Sequence, residues 1–326
     1  MKKIINIAMI MLVVTTMVLF TATGCATKEG NEEKKTITIA YNPSGYGSAV
    51  THLMIADEIL SKYLPDEVTA EWVEMSSASD IRDALANDTV DIAAPALSAY
   101  ISAVENKMPI TLISNYGNAM VGLYSCKGYE SIEDFKKSDI IAIKGLNTNP
   151  QISFLAYIKE KGLNVDTYNN MLSKVPETES IAMLKNNNGE IAGAILSYPI
   201  SKEADAINDV TLVANFKDVI EDYNLGNCLC ANTDFYNNNS EIVKAFEDAR
   251  DEIMNNWNNN LEHNSEVLSE LYGCDKKEIL DIMKTLPPKK EITGYDKLSS
   301  LMYECGMIKS PATPFEKLEN YNKIPH

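Results

Sequence analysis

The side chains able to do covalent chemistry are few and badly placed for it. Histidine occurs only at His52, His263 and His326, and the last two fall in the final quarter of the 326 residues. No Ser-His-Asp set and no paired-carboxylate motif accompanies them, so neither nucleophilic nor general acid–base catalysis is expected. Cys228-x-Cys230 lacks a second Cys or His pair at metal-site spacing, which disfavours zinc. With Cys25 set aside, Cys126, Cys228, Cys230, Cys274 and Cys305 remain. A Cys274–Cys305 bridge is one possibility, but connectivity is not readable from sequence. No cofactor is called for. The chemistry that remains is reversible binding.

One stretch is suited to that. Asn147-Thr148-Asn149-Pro150 reads as a helix start, with Pro in the first turn after a capping residue. A helix N-terminus exposes N–H groups and about half a positive charge, which suits an anion or a carbonyl oxygen. An ordinary cap with no ligand is the plainer alternative.

The elements that would position such a site alternate between strand and helix. Thr36–Tyr41 has the period of a strand and leads into the turn Asn42-Pro43-Ser44-Gly45. A helix from about Ser48 aligns Leu53, Ala56, Ile59 and Leu60. Strand 68–74, a helix capped by Ser77, strand 90–94, a helix over 97–104 and strand 110–114 follow. A second series repeats the theme, with strands at 120–125, 140–144, 191–196 and 210–214. Its helices are expected at 132–136, from 150, at 178–185 and after Tyr198-Pro199. Cys228–Asn232 reads as a returning strand, and four amphipathic helices fill 241–306. The pattern predicts an α/β fold of two lobes with mostly parallel sheets, 36–117 plus 226–326 and 118–225, joined by a two-strand hinge with a helical C-terminal tail.

Ligands of open α/β sheets sit beyond the carboxyl ends of the strands. That rule selects Tyr41 and Asn42; Ser76; Leu97 and Ser98; Asn115 and Tyr116; Asn147, Thr148 and Asn149; and Tyr198. Each also has a structural reading: Tyr41 as a cover for the sheet edge, Asn42 as a turn residue, Ser98 as a helix cap. Asn115 and Tyr116 serve equally as hinge packing, and Tyr198 as core. Arginine is restricted to Arg82 and Arg250. Arg82 sits between Asp80 and Asp83 and reads as a solvated helix face, which disfavours an Arg-clamped oxyanion, although Lys144 and helix ends remain available. Tyr41, Tyr46, Tyr116 and Tyr198 near strand ends suit a planar or part-apolar organic solute.

Charge and the N-terminus bound the partners. The formal charge of −17 argues against nucleic acid, whose phosphates demand clustered Lys and Arg. Lys2-Lys3, the apolar run 4–20 and the small polar stretch before Cys25 make an export signal, too short to be a comfortable span of about 30 Å of hydrocarbon. Thr23-Gly24-Cys25 after Ala22 resembles the lipobox of bacterial lipoproteins, although those usually have leucine where Ala22 stands. The resemblance implies removal of 1–24 and acylation of Cys25, with 25–35 as a flexible polar tether.

Three segments carry a wider resemblance: Ile37-Thr-Ile-Ala-Tyr41, Ile81-Arg-Asp-Ala-Leu-Ala-Asn-Asp-Thr-Val-Asp-Ile-Ala93, and Ser180-Ile-Ala-Met-Leu-Lys-Asn-Asn-Asn-Gly-Glu-Ile-Ala-Gly-Ala194. In order and spacing, over about 36–232, the chain resembles the solute-binding proteins of ABC importers, in the nitrate/sulfonate/taurine and thiamine-precursor (SsuA/THI5-like) group. The resemblance implies a type II periplasmic-binding fold and a small-molecule solute held between the lobes. Its expected partners are an ABC permease with its ATPase, and the membrane through the lipid on Cys25. The protein itself would be a monomer without catalytic activity on the outer face of the cell membrane. Two rivals stand beside it. A surface sensor or adhesin would share every residue named. An enzyme like the eukaryotic thiamine-pyrimidine synthases needs an active-site histidine and a cysteine cluster that His52 and Cys228-Leu-Cys230 do not supply.

Overall fold

The structure is a computed structural model and describes residues 34–146 and 148–326. The signal segment, Cys25, the tether as far as residue 33 and Asn147 lie outside the described residues; Lys35, expected at the end of the tether, already belongs to the first strand.

Strand β1 (Lys35–Tyr41) opens the first lobe, followed by α1 (Ala49–Ala56), β2 (Val68–Glu74), α2 (Ala78–Ala86), β3 (Ile92–Ala93), α3 (Leu97–Glu105) and β4 (Ile110–Asn118). The second lobe runs β5 (Val121–Ser125), β6 (Ile141–Ile143), α4 (Asn149–Glu160), α5 (Val165–Asn169), β7 (Leu172–Lys174), α6 (Glu177–Asn186), β8 (Gly193–Ser197), α7 (Ser201–Asp205), β9 (Thr211–Asn215) and α8 (Lys217–Asp222). The chain then returns through β10 (Gly226–Asn232) to α9 (Thr233–Asn238), α10 (Ser240–Asn255), α11 (Leu261–Tyr272), α12 (Lys276–Thr285) and α13 (Tyr295–Glu304).

The two sheets share one plan. Their orders are β2-β1-β3-β10-β4 and β7-β6-β8-β5-β9, so the strand entering from the other lobe takes the fourth place in each. That strand is the antiparallel one: β10 opposes β3 and β4, and β5 opposes β8 and β9, while β1–β2, β1–β3, β6–β7 and β6–β8 are parallel. The mostly parallel expectation therefore needs one exception per sheet, and its cause is topological. A strand that crosses directly from one lobe to the next arrives running against its new neighbours.

Local chemistry accounts for the element ends. Ser77 accepts the Asp80 N–H and caps α2. The single helix expected through Leu60 breaks after Ala56, because Glu58 is left-handed and a 3-10 turn over Ile59–Lys62 follows. After Tyr198 and its cis peptide to Pro199, α7 starts only at Ser201. Apolar clusters cover both faces of the first sheet. Ile37 and Ile39 face α1 and α10, with Trp257 and Met283, whereas Ala40 faces the α2/α3 side. Helix α13 joins the lobes: its Leu298, Leu301 and Met302 share one cluster with Tyr100 of the first lobe and with Phe154 and Phe216 of the second.

Five cysteines are free thiols. Cys274 packs against the cluster under α1 and Cys305 against the one around α13, so these two are not a pair. Cys228 and Cys230 point to the same side of β10, with sulfurs 3.5 Å apart and no exposure.

The tightest backbone approach is at the crossings. A Cβ on Gly226 would stand 2.0 Å from the Gly117 carbonyl oxygen, and one on Gly117 2.5 Å from that of Gly47. Gly226→Ala is expected to cost about 1–3 kcal/mol through the forced separation of β4 and β10, read as a lower melting temperature by calorimetry.

His52 ties the loop after β1 to α11. Its Nε2 lies 3.1 Å from the Asn42 carbonyl oxygen, which can only accept, so Nε2 carries the proton and Nδ1 accepts from the Tyr272 hydroxyl at 2.9 Å. Burial pushes this imidazole down to about 4. The unfolded chain takes up the proton near pH 6.5 and the folded chain resists it, so stability is complete above that pH and falls as pH drops toward 4. The loss should reach at most about 3 kcal/mol, and His52→Gln should flatten this part of the melting-temperature profile between pH 7 and 4.

Candidate functional site

A cleft of about 700 Å³ lies where the carboxyl ends of both sheets face each other. Its walls come from loop segments of both lobes. In the first lobe these are the 42–48 loop and the 76–79 start of α2, with Ser98 and Ser102 of α3 behind them. In the second they are Lys144 to Leu146 with Thr148 to Pro150, Lys174 with Glu177, and Ser197 with Tyr198. Met302 of α13 and Met307 close one end, while Met120 and Asn227 mark the crossings.

Hydroxyls and amides dominate the polar lining, with Ser44, Ser76, Ser79, Ser98 and Ser197 beside Asn42, Asn149 and Asn227. The charged lining is Arg82, Lys144, Lys174 and Glu177. Glu177 accepts the Ser197 N–H at 2.7 Å and lies 3.6 Å from Lys144 Nζ. Arg82 donates to Ser102 Oγ at 3.2 Å and is held from behind by Asp83 at 2.6 Å. Lys174 makes no ion pair among the described residues. The cleft therefore carries a net positive lining inside an acidic chain, an arrangement that draws in anions.

Of the strand-end residues selected above, Asn42, Ser76, Ser98, Thr148, Asn149 and Tyr198 line the cleft. Asn42 also serves its turn, accepting the Ser44 N–H at 2.9 Å. Thr148 precedes α4 but donates its hydroxyl to the Gly145 carbonyl at 2.8 Å rather than capping the helix. Asn149 crosses the cleft floor: it accepts from Ser98 Oγ and donates to the Gly226 carbonyl, both at 3.3 Å. Tyr198 is 3% exposed and forms cleft wall and core at once. Its hydroxyl is buried without a well-formed hydrogen bond, beside Cys274 and Glu278.

Four of the selected residues stand elsewhere. Tyr41 shares the sheet face of Ile37 and Ile39, since alternate strand residues point the same way. There it bonds Glu74 at 3.0 Å and meets His52 and Trp72 edge-on. Tyr116 is wholly buried, accepts from Thr51 Oγ1 and packs on Phe246. Asn115 is buried in β4, its N–H bonded to the Lys290 carbonyl at 2.8 Å. Leu97 is core beneath α3. Of the four tyrosines expected around a planar solute, only Tyr46 and Tyr198 reach the cleft, and Tyr46 spends its hydroxyl on the Leu286 carbonyl.

Arg82 corrects the reading of a solvated helix face, because α2 turns it inward to Ser102. Lys174 and Glu177 were missed with their strand. The strand-end rule would have found them had Leu172–Lys174 been recognised. Met302 and Met307 carried no signal, being placed by packing of distant sequence.

Among the described residues no group of three His, Cys, Asp or Glu side chains is arranged to hold a metal ion, and no helix is long and apolar enough to cross a membrane.

No protein-family model and no curated protein sequence matches the chain. Solved structures do. The periplasmic aliphatic sulphonate binding protein SsuA from Escherichia coli is similar over 89% of this chain and 99% of its own, at 14% identity and a TM-score of 0.71. The ligand binding component of an ABC-type import system from Staphylococcus aureus, solved with zinc bound, covers 90% of this chain and 97% of its own, at 16% identity and a TM-score of 0.69. A Candida albicans protein described as having the generic periplasmic binding protein fold covers 89% and 96%, at 13% identity and a TM-score of 0.67. The chain therefore has the two-lobed periplasmic-binding-protein fold, and its solved neighbours include sulfonate-binding proteins and ligand-binding components of ABC importers.

Proposed function

We propose that this protein is an extracytoplasmic solute receptor that closes its two lobes on a small organic anion and delivers it to an ABC importer. The observation that carries the reading is the cleft itself, lined from both lobes at their strand ends and positively charged within a chain of charge −17. A solute touching both walls favours the closed form by its differential affinity. Serine and asparagine groups beside Lys144 and Lys174 suit an oxyanion or carboxylate head. Ile81, Ile152, Met302 and Met307 suit a short apolar body at the other end. The fold neighbours support transport as the setting. A lipid anchor on Cys25 would keep the receptor beside its permease and ATPase, and no step of this cycle requires catalysis.

A thermal-shift screen against small sulfonates, carboxylates, inorganic anions and uncharged vitamins tests the reading. A compound bound at a hundredfold excess over its dissociation constant raises stability by about 2.7 kcal/mol. An anionic compound is expected to score. Lys144→Met and Lys174→Met should each weaken it about tenfold, and Tyr198→Ala should abolish the shift. Tyr41→Ala should leave it intact, because that ring lies outside the cleft. A hit list of uncharged or cationic compounds alone would refute the anion assignment.

A further inference from the structure

A second cavity, of about 540 Å³, backs onto the cleft. Met120, Val121 and Tyr198 line both and so form the wall between them. Met120 lies in the crossing from β4 to β5, which places a hinge segment in that wall. A rotation that brings the lobes together on one side of a hinge parts them on the other. The rear cavity is bounded by α7 and β9 of the second lobe and by α12, which packs with the first.

One ion pair spans it. Lys202 Nζ of α7 lies 3.5 Å from Glu278 Oε1 of α12 and 2.7 Å from Asp205 of its own helix. Asp275, Lys277 and Asp281 of the α12 segment also face the cavity. Glu278 stands beside the buried hydroxyl of Tyr198, a residue that lines the cleft as well as the rear cavity. Ties of the opposite sense exist on α13, whose Met302 lines the cleft: Lys297 lies 3.1 Å from Glu160 of α4, and Glu304 pairs with Lys159.

We propose that Lys202 and Glu278 are positioning residues for solute capture: their bond holds the rear cavity together and thereby holds the cleft open. The proposal rests on the clamshell reading above. Capture must then break the Lys202–Glu278 contact, and its strength sets how much binding free energy goes into closure.

The test needs no solute. Spin labels on ketone-bearing residues introduced at Asp80 and Glu179, exposed positions near the two cleft walls, avoid the native thiols. The distance between them is measured by pulsed electron resonance in the full chain. Glu278→Gln and Lys202→Met are expected to enrich the short-distance population about two- to fivefold, the scale of one solvated ion pair. Lys202→Arg, which can span the same two carboxylates, should keep the original distribution. Distributions for Glu278→Gln and Lys202→Met that superimpose on the unaltered protein, or lengthen, overturn the proposal. Lobes that shift with Glu278→Gln yet respond to no compound would refute solute capture and leave the rear tie standing. Lobes that close on a compound but ignore Glu278→Gln would do the reverse.

Discussion

The constraint on which the rest depends is that two stretches of backbone must pass between the lobes side by side. At Gly226, against the Gly117 carbonyl, and at Gly117, against the Gly47 carbonyl, the chains approach too closely for any side chain. Because β4 runs straight on toward β5, and β10 straight back beside β4, each lobe acquires one strand opposed to its neighbours. That opposed strand occupies the fourth place in each sheet, and the strand ends that remain face each other across the gap. The cleft is thus a consequence of the crossing rather than a separate feature. Any solute entering it meets strand ends and helix starts, where backbone groups are least satisfied.

Electrostatics follows from how the few cations are held. The chain is acidic, yet Lys174 has no carboxylate within ion-pair distance among the described residues. Arg82 is met from behind by Asp83 and Lys144 from the side by Glu177. Both carboxylates orient a cation while leaving part of its hydrogen-bonding capacity turned to the cleft. Glu177 is itself occupied by the Ser197 N–H, which fixes it and ties the start of α6 to the end of β8. The positive lining is therefore a set of positioned donors.

Much of the fold was legible because hydrophobic periodicity reports burial directly. Strand β1, the Ser77 cap and α3 stand where alternation and capping rules put them. What was not legible has physical causes. Leu172–Lys174 is three residues long and only half-buried, too short for a period to show, and Lys174 and Glu177 were lost with it. The site was legible only by half. The strand-end rule names positions but not faces, so it chose Tyr41 with Asn42, and Tyr116 with Asn115. For Tyr41 the alternation of Ile37 and Ile39 held the answer, since a residue two beyond Ile39 must share its face. For Tyr116 no such help existed, because every residue of β4 is buried. Arg82 reads as solvated between two aspartates, and only the position of α3 reveals that Ser102 draws it inward.

The contacts between the lobes explain how such a molecule can be both firm and mobile. A joint sealed by a broad apolar surface would hold one angle, since close-packed cores have discrete rather than graded arrangements. Here, among the described residues, the apolar joint is narrow: α13 packs with both lobes through Leu298 and Leu301, and Tyr198 of the second lobe meets Tyr272 of the first edge-on. Other ties are half-exposed ion pairs: Lys297 with Glu160 and Asp222 and Glu304 with Lys159 at that helix, and Lys202 with Glu278 between α7 and α12. Solvated pairs of this kind each contribute about 0–1 kcal/mol, so water replaces them at little cost. The Asn149 amide adds a neutral bond across the cleft floor, close to Gly226, where rotation displaces atoms least. Rigid strands at the hinge and exchangeable charges away from it are what the proposed rotation of one lobe against the other requires, and a solute would drive it by its differential affinity for the closed form.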